Sequence, residues 1–171
     1  IYYITGEELD ALRRSPQLEG FAARGIEVLL LTDPIDEFWL PMVHVYNEKT
    51  FKSVTAGDID LGKIKRSDDA AEEKDKPEAA DDADIAKLII AFKEELGEAV
   101  KDVRSSDRLT DSAVCLVAGE GDMDLHLERM LKSQGHMDVP NSTRVLEINS
   151  THALIKQLSG LTDDLTKKED L

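Results

Sequence analysis

A single cysteine, Cys115, excludes any intramolecular disulfide from this 171-residue chain. With no basic and apolar signal sequence at its start, a reducing, cytoplasmic setting is expected. Aromatic side chains are scarce, at 5%. Basic charge is short as well: 21 Lys and Arg against 36 Asp and Glu leave a net charge of −15 and a pI of about 4.6. Such a surface repels phosphate backbones and anionic lipid, which sets aside nucleic acid and membranes as partners. Apolar runs such as Val28-Leu29-Leu30-Leu31 are short, and the longest, Ala113-Val114-Cys115-Leu116-Val117-Ala118, holds six residues, far below the roughly 20 that span a bilayer. The chain opens on Ile1 inside a strand-like run with no preceding turn, so a segment of a longer polypeptide is expected.

The charge is uneven. Residues 1–66 carry −3, residues 67–84 carry −7 and residues 85–171 carry −5. From Ser67 to Asp84 there is no aromatic or branched aliphatic side chain, so nothing there offsets the entropy of ordering, and this stretch reads as an acidic connector. It separates pieces of 66 and 87 residues, sizes at which only about 60% of the unfolded surface is buried on folding.

In the first piece, Ile1–Thr5 reads as a strand, followed by a helix with Leu9 and Leu12 on its buried face and Pro16 at its end. A short helix from Gln17 to Ala23 stops at Gly25, and Ile26–Leu31 is the continuous apolar run of a strand covered on both faces. Asp33 and Pro34 then start a helix that Pro41 cuts short, and Phe51–Val54 adds a short strand. Strand, helices and strand make a βαβ unit, and the last short strand completes a small sheet.

The second piece opens with Ile85, Leu88, Ile89, Phe92 and Leu96, the spacing of a helix with one buried face, ended near Gly97. Val100–Arg104, Ala113–Ala118 and Arg144–Ile148 read as strands. Asp122 is the candidate cap of a helix ending at Gln134 and Gly135, and a last helix runs from Thr151. The order α, β, β, α, β, α gives a small α+β domain with a three-stranded sheet.

Catalytic and metal chemistry find little support. Gly119-x-Gly121 lacks the third glycine and the Lys-Ser/Thr of a phosphate loop, and Glu120 and Asp122 would repel phosphate. The four histidines have no spacing that aims two ligands at one metal. Asp58-x-Asp60 and Asp122-x-Asp124 lack the glycine and distal glutamate of calcium loops. Cys115 lies in an apolar run, where burial makes a thiol inert.

Two helices carry unusual apolar stripes. Ile35, Phe38, Trp39 and Met42 fall within one stripe about 100° wide, with Glu37 beside it. Met123, Leu127, Met130 and Leu131 form a second stripe while Leu125 lies on the far side. Both stripes read either as core or as an adaptable partner surface, for which methionine and aromatic side chains are suited.

The runs Ile1–Gly6, Gly25–Glu37, Phe51–Val54, Val100–Arg104, Arg108–Asp111 and Leu146–Asn149 resemble, in order, the ninety-kilodalton heat-shock protein family, called HtpG in bacteria. The resemblance implies that residues 1–66 are the C-terminal part of a middle domain, a small α/β/α layered domain, and that residues 85–171 start a C-terminal domain. It implies a homodimeric, ATP-driven chaperone that binds partly unfolded client proteins. ATP and its magnesium would be held by an N-terminal domain outside this chain, leaving no cofactor and no catalysis here. By the same resemblance, Glu37 and Phe38, with Trp39 and Met42 beside them, and Met123, Leu127, Met130 and Leu131 are client contacts. The family's final dimerisation helices would begin near Leu171, so weakened self-association is expected. The alternative, a small α/β domain for a nucleotide or metabolite, rests on strand-helix-strand order alone, because Thr5-Gly6-Glu7-Glu8 offers one glycine and two acids.

Overall fold

The computed structural model describes residues 1–57, 59, 61, 64, 80–119, 121–133 and 142–165. In the first unit the chain runs β1 (Tyr2–Thr5), α1 (Leu9–Arg13), a 3-10 turn (Pro16–Leu18), α2 (Glu19–Ala22), β2 (Val28–Leu31) and α3 (Asp36–Trp39). A hairpin of β3 (Val45–Tyr46) and β4 (Lys49–Thr50) follows, then β5 (Lys52–Ser53). The sheet has the order β2-β1-β5 and both pairings are parallel. Ile4, Leu12, Phe21, Val54 and Leu61 form its buried core. Gly25 ends α2 because it takes φ 64°, a left-handed value at which glycine carries no steric penalty, and this lets Ile26 N–H reach back to the Phe21 carbonyl at 2.9 Å.

In the second unit, α4 (Asp82–Leu96) leads to β6 (Val100–Ser105), β7 (Val114–Val117), α5 (Leu125–Ser133), β8 (Arg144–Ile148) and α6 (Ala153–Leu165). Here β8 is central, parallel to β6 and antiparallel to β7. The core is Ile85, Leu88, Val103, Ile148 and Ile155, so α4 and α6 cover one face of the sheet. The expected mixture of a parallel α/β layer with a three-stranded α+β unit is therefore present.

Several local expectations change. Leu9 is 41% exposed and only Leu12 of that pair is buried, because α1 is little more than one turn long. Leu29 is 45% exposed, so β2 is covered on one face, not two. Asp122 does not cap α5: its carboxylate accepts from Gly119 N–H at 3.1 Å and Lys101 at 2.9 Å, while Asp124 Oδ1 accepts from His126 N–H at 2.9 Å and takes the cap. Asp81 caps α4 through Ala83 N–H at 2.8 Å, so the helix begins ahead of Ile85, with Asp82 and Asp84 favoured by the first-turn dipole. Residues 67–79 of the acidic connector, and the helix end at Gln134 and Gly135, lie outside the described residues.

The two units meet along a polar seam. Ala56 and Ala118 form a parallel bridge between them. Arg108, 2% exposed, enters the first unit and donates to the carbonyls of Val54 and Ala56. Its Nε pairs with Glu147 at 2.9 Å. Glu147 also accepts from Arg104 at 2.7 Å and Ser106 at 2.9 Å, so the buried carboxylate is fully answered. In the other direction Glu19 accepts from the N–H groups of Thr110, Asp111 and Ser112 and from the Ser112 hydroxyl. Partial burial pushes the Glu19 pKa up, and those four donors more than reverse it, leaving the carboxyl below its ordinary value. Gly20 is required at this seam, since a Cβ there would lie 2.6 Å from the Arg108 backbone.

Candidate functional site

The loop after β2 builds the first stripe. Asp33 Oδ1 accepts from Ile35 N–H at 3.1 Å, and Asp36 Oδ2 accepts from Asp33 N–H at 3.2 Å. This reciprocal pair fixes a helix of one turn. Trp39 is tied down: its Nε1–H donates to Asp36 at 2.8 Å, and its ring stands edge-on to Phe51 with centroids 5.7 Å apart. Phe51 meets Tyr3 in the same manner at 6.4 Å.

The rest of that stripe faces water. Ile35 is 59%, Phe38 49% and Met42 73% exposed. Val43, Val45 and Tyr46 extend the apolar surface into the hairpin, whose two-residue turn puts Asn47 and Glu48 at φ 45° and 63°. Leu40 alone turns into the core. Glu37 is turned inward too, at 5% exposure, and pairs with His126 Nδ1 at 2.7 Å.

Helix α5 carries Leu127, Met130 and Leu131 of the second stripe, while Met123 stands ahead of it because the helix starts at Leu125 and not at Asp122; all four are half-buried. Glu128 is buried on the same helix, held by Lys132 one turn on and by Arg144 from β8. Burial raises the Glu128 pKa and those two cations outweigh it, so the carboxyl titrates below its usual range.

The fold brings the two helices together. Besides the Glu37–His126 pair, the hydroxyls of Ser53 and Thr55 both donate to Asp124 Oδ2, the latter at 2.6 Å. Burial, then the charges of Asp124 and Glu37, push the Tyr3 phenol up to about 12. The Cys115 thiol is likewise pushed up to about 12, first by burial and then by Glu147, and is therefore a protonated, unreactive group. Sequence reasoning missed His126, Asp124, Arg108 and Glu147, whose partners lie between 32 and 89 residues away along the chain. The visible signals were the blocks Arg108–Asp111 and Leu146–Asn149, which hold Arg108 and Glu147 and are quoted above for their resemblance alone.

Comparison with known proteins agrees with that resemblance. The model of the Hsp90 protein family matches residues 1–170. Chaperone protein HtpG of Paramagnetospirillum magneticum is 58% identical over 161 residues, covering 94% of this chain and 25% of that protein. HtpG of Rhizobium meliloti is 49% identical over 171 residues, covering 99% and 26%. HtpG of Wolbachia pipientis is 44% identical over 158 residues, covering 92% and 24%. The chain thus spans about a quarter of the length of the curated relatives it matches, and it belongs to the Hsp90 family, in its bacterial HtpG branch.

Proposed function

We propose that this chain is a client-capturing part of an HtpG-type chaperone, in which residues 1–66 end the middle domain and residues 85–171 start the C-terminal domain. The observation that carries the reading is the surface from Ile35 to Tyr46. Six large apolar side chains there, each between 40% and 73% exposed, lie within twelve consecutive residues. A folded protein gains nothing in stability from such a cluster, and contiguous apolar surface of this kind marks recognition. The half-buried Met130, Leu127 and Leu131 stand on the helix tied to this one through Glu37 and His126, and Met123 lies just ahead of it, so flexible thioethers extend the surface.

Capture of this kind is noncovalent. It removes apolar area of a partly unfolded client from water at about 25 cal/mol per Å² and needs no reacting group. The test is light scattering of a thermally unfolding model protein, with and without stoichiometric chain. The parent chain is expected to suppress scattering, and the variant Phe38→Ser/Met42→Ser, with unchanged circular dichroism, is expected to lose most of that suppression. Equal suppression by both would remove the assignment from this surface.

A further inference from the structure

Two carboxylates cross between the units beside the apolar stripes, in opposite directions. Asp124 stands at the start of α5 in the second unit, yet its Oδ2 accepts from the Ser53 and Thr55 hydroxyls of the first, the latter at 2.6 Å. Glu37 stands on α3 in the first unit, and its Oε1 is 2.7 Å from His126 Nδ1 in the second. An ionised carboxylate only accepts, so Nδ1 of that imidazole carries the proton. The Ser53 and Thr55 hydroxyls lie 3.0 Å apart and share one acceptor, while Oδ1 of Asp124 caps α5 through His126 N–H at 2.9 Å. One carboxylate thus starts the helix and ties its first turn to the neighbouring unit.

These contacts fall where the stripes are. Glu37 precedes Phe38, Asp124 follows Met123, and His126 precedes Leu127. Helical spacing also sets His126 beside Met130, one turn further along α5. The units are already joined elsewhere, by Arg108 with Glu147 and by Glu19 with the loop of Thr110 to Ser112. What the two carboxylates add is the direction in which α5 leaves the junction. Glu37 is 5% exposed and Thr55 3%, so neither offers surface to a client. Any part they have in capture is exerted through the groups they hold.

We infer that Asp124 and Glu37 are positioning residues for capture, which hold the second stripe at a fixed place beside the first and so select clients by the spacing of their apolar clusters. The inference rests on the capture reading above and adds to it this requirement of spacing. A client held at one stripe meets the other at an effective concentration that is highest when the connecting chain matches the span, and lower when it is shorter or longer. Such selection exists only while the span is fixed. If α5 pivots at the junction, the optimum flattens.

The probes are capped, dye-labelled Gly/Ser peptides with one Phe-Leu-Phe cluster, or with two joined by Gly/Ser linkers of about 4 to about 20 residues, and affinity is read by fluorescence anisotropy. The parent chain should bind the best two-cluster peptide about tenfold more tightly than the one-cluster peptide, with a maximum at one linker length. Ser53→Ala/Thr55→Val removes both donors to Asp124 Oδ2 and leaves the α5 cap and the stripes in place. It should bind the one-cluster peptide like the parent and keep less than about threefold advantage for two clusters. Thr55→Ser, which retains the hydroxyl, should behave as the parent. Glu37→Gln keeps an acceptor for His126 and should keep the advantage, whereas Glu37→Leu should lose it; a client contact made by the charge would be lost in both. A merely structural role would weaken both kinds of peptide alike. The inference is overturned if the parent gains no more than about twofold from the second cluster, the statistical factor for a repeated site, or if the hydroxyl variant keeps the full linker-length optimum. Failure of the one-cluster peptide to bind, or binding unmoved by Phe38→Ser/Met42→Ser, would overturn the capture reading itself and this inference with it.

Discussion

The surface from Ile35 to Tyr46 and the seam around Arg108 and Glu147 invert the usual arrangement of a folded chain in opposite directions. The first leaves Phe38 and Met42 in water, and the second takes an arginine and a glutamate to 3% and 4% side-chain exposure. Neither is a fault of packing. The seam works because every buried charge is answered, Arg108 by Glu147 and two carbonyls, Glu147 by two arginines and Ser106. The open surface persists because its backbone is fixed locally by Asp33 and Asp36 and by the buried Leu40, so the exposed side chains hold nothing up. One region exchanges solvation for a defined orientation of two units; the other keeps apolar area available.

This difference predicts opposite responses to substitution. The largest effect is expected at Arg108→Ala, which strands the Glu147 carboxylate in the interior and should cost about 3–5 kcal/mol, read as a fall in the urea midpoint. If the two units then unfold in separate transitions, the seam is what makes them cooperative. A loss below about 1 kcal/mol would mean that Glu147 is satisfied without Arg108.

Glu19→Gln comes next, since it weakens bonds to three N–H groups and one hydroxyl and should cost about 2 kcal/mol at pH 7. The folded-state pKa of Glu19 lies below its ordinary value of 4.5. Its stabilisation is therefore complete above that ordinary value and is lost as pH falls through the folded-state value. The gap between parent and Glu19→Gln midpoints should be constant from pH 7 to about pH 5 and shrink on further acidification. A gap that widens in acid would reverse the assignment.

The strands were legible because their signal is local: Tyr2–Thr5, Val28–Leu31, Val114–Val117 and Arg144–Ile148 each stand out as apolar or alternating runs. The two stripes were legible for the same reason, as helical spacing. What spacing could not decide was their fate, since periodicity says which side chains share a face and not whether anything covers that face. Leu29 and Leu9, expected to be covered, are exposed, while Glu37, beside a stripe whose fate spacing left undecided, is buried against His126. The seam was invisible for a related reason. Arg108 and Val54, or Glu19 and Ser112, are joined across 54 and 93 residues, and no local pattern marks a charge whose partner arrives only with the fold.

The second stripe should respond between these extremes. Met123→Ser and Met130→Ser remove half-buried thioethers, so each should cost about 1–2 kcal/mol in urea unfolding, below the price of a full core truncation. The smallest effect on stability is expected at Phe38→Ser and Met42→Ser. Both side chains are about half or more exposed, so unfolding returns little further apolar area to water, and each change should stay within about 0.5 kcal/mol. The functional order is the reverse. If the open surface captures clients, these two nearly silent substitutions should lower suppression of aggregation more than either methionine change in the second stripe, because the area they remove was available to a partner all along. A destabilisation above about 2 kcal/mol at Phe38 would instead make it a core residue, and the contrast between an open surface and a closed seam would no longer hold.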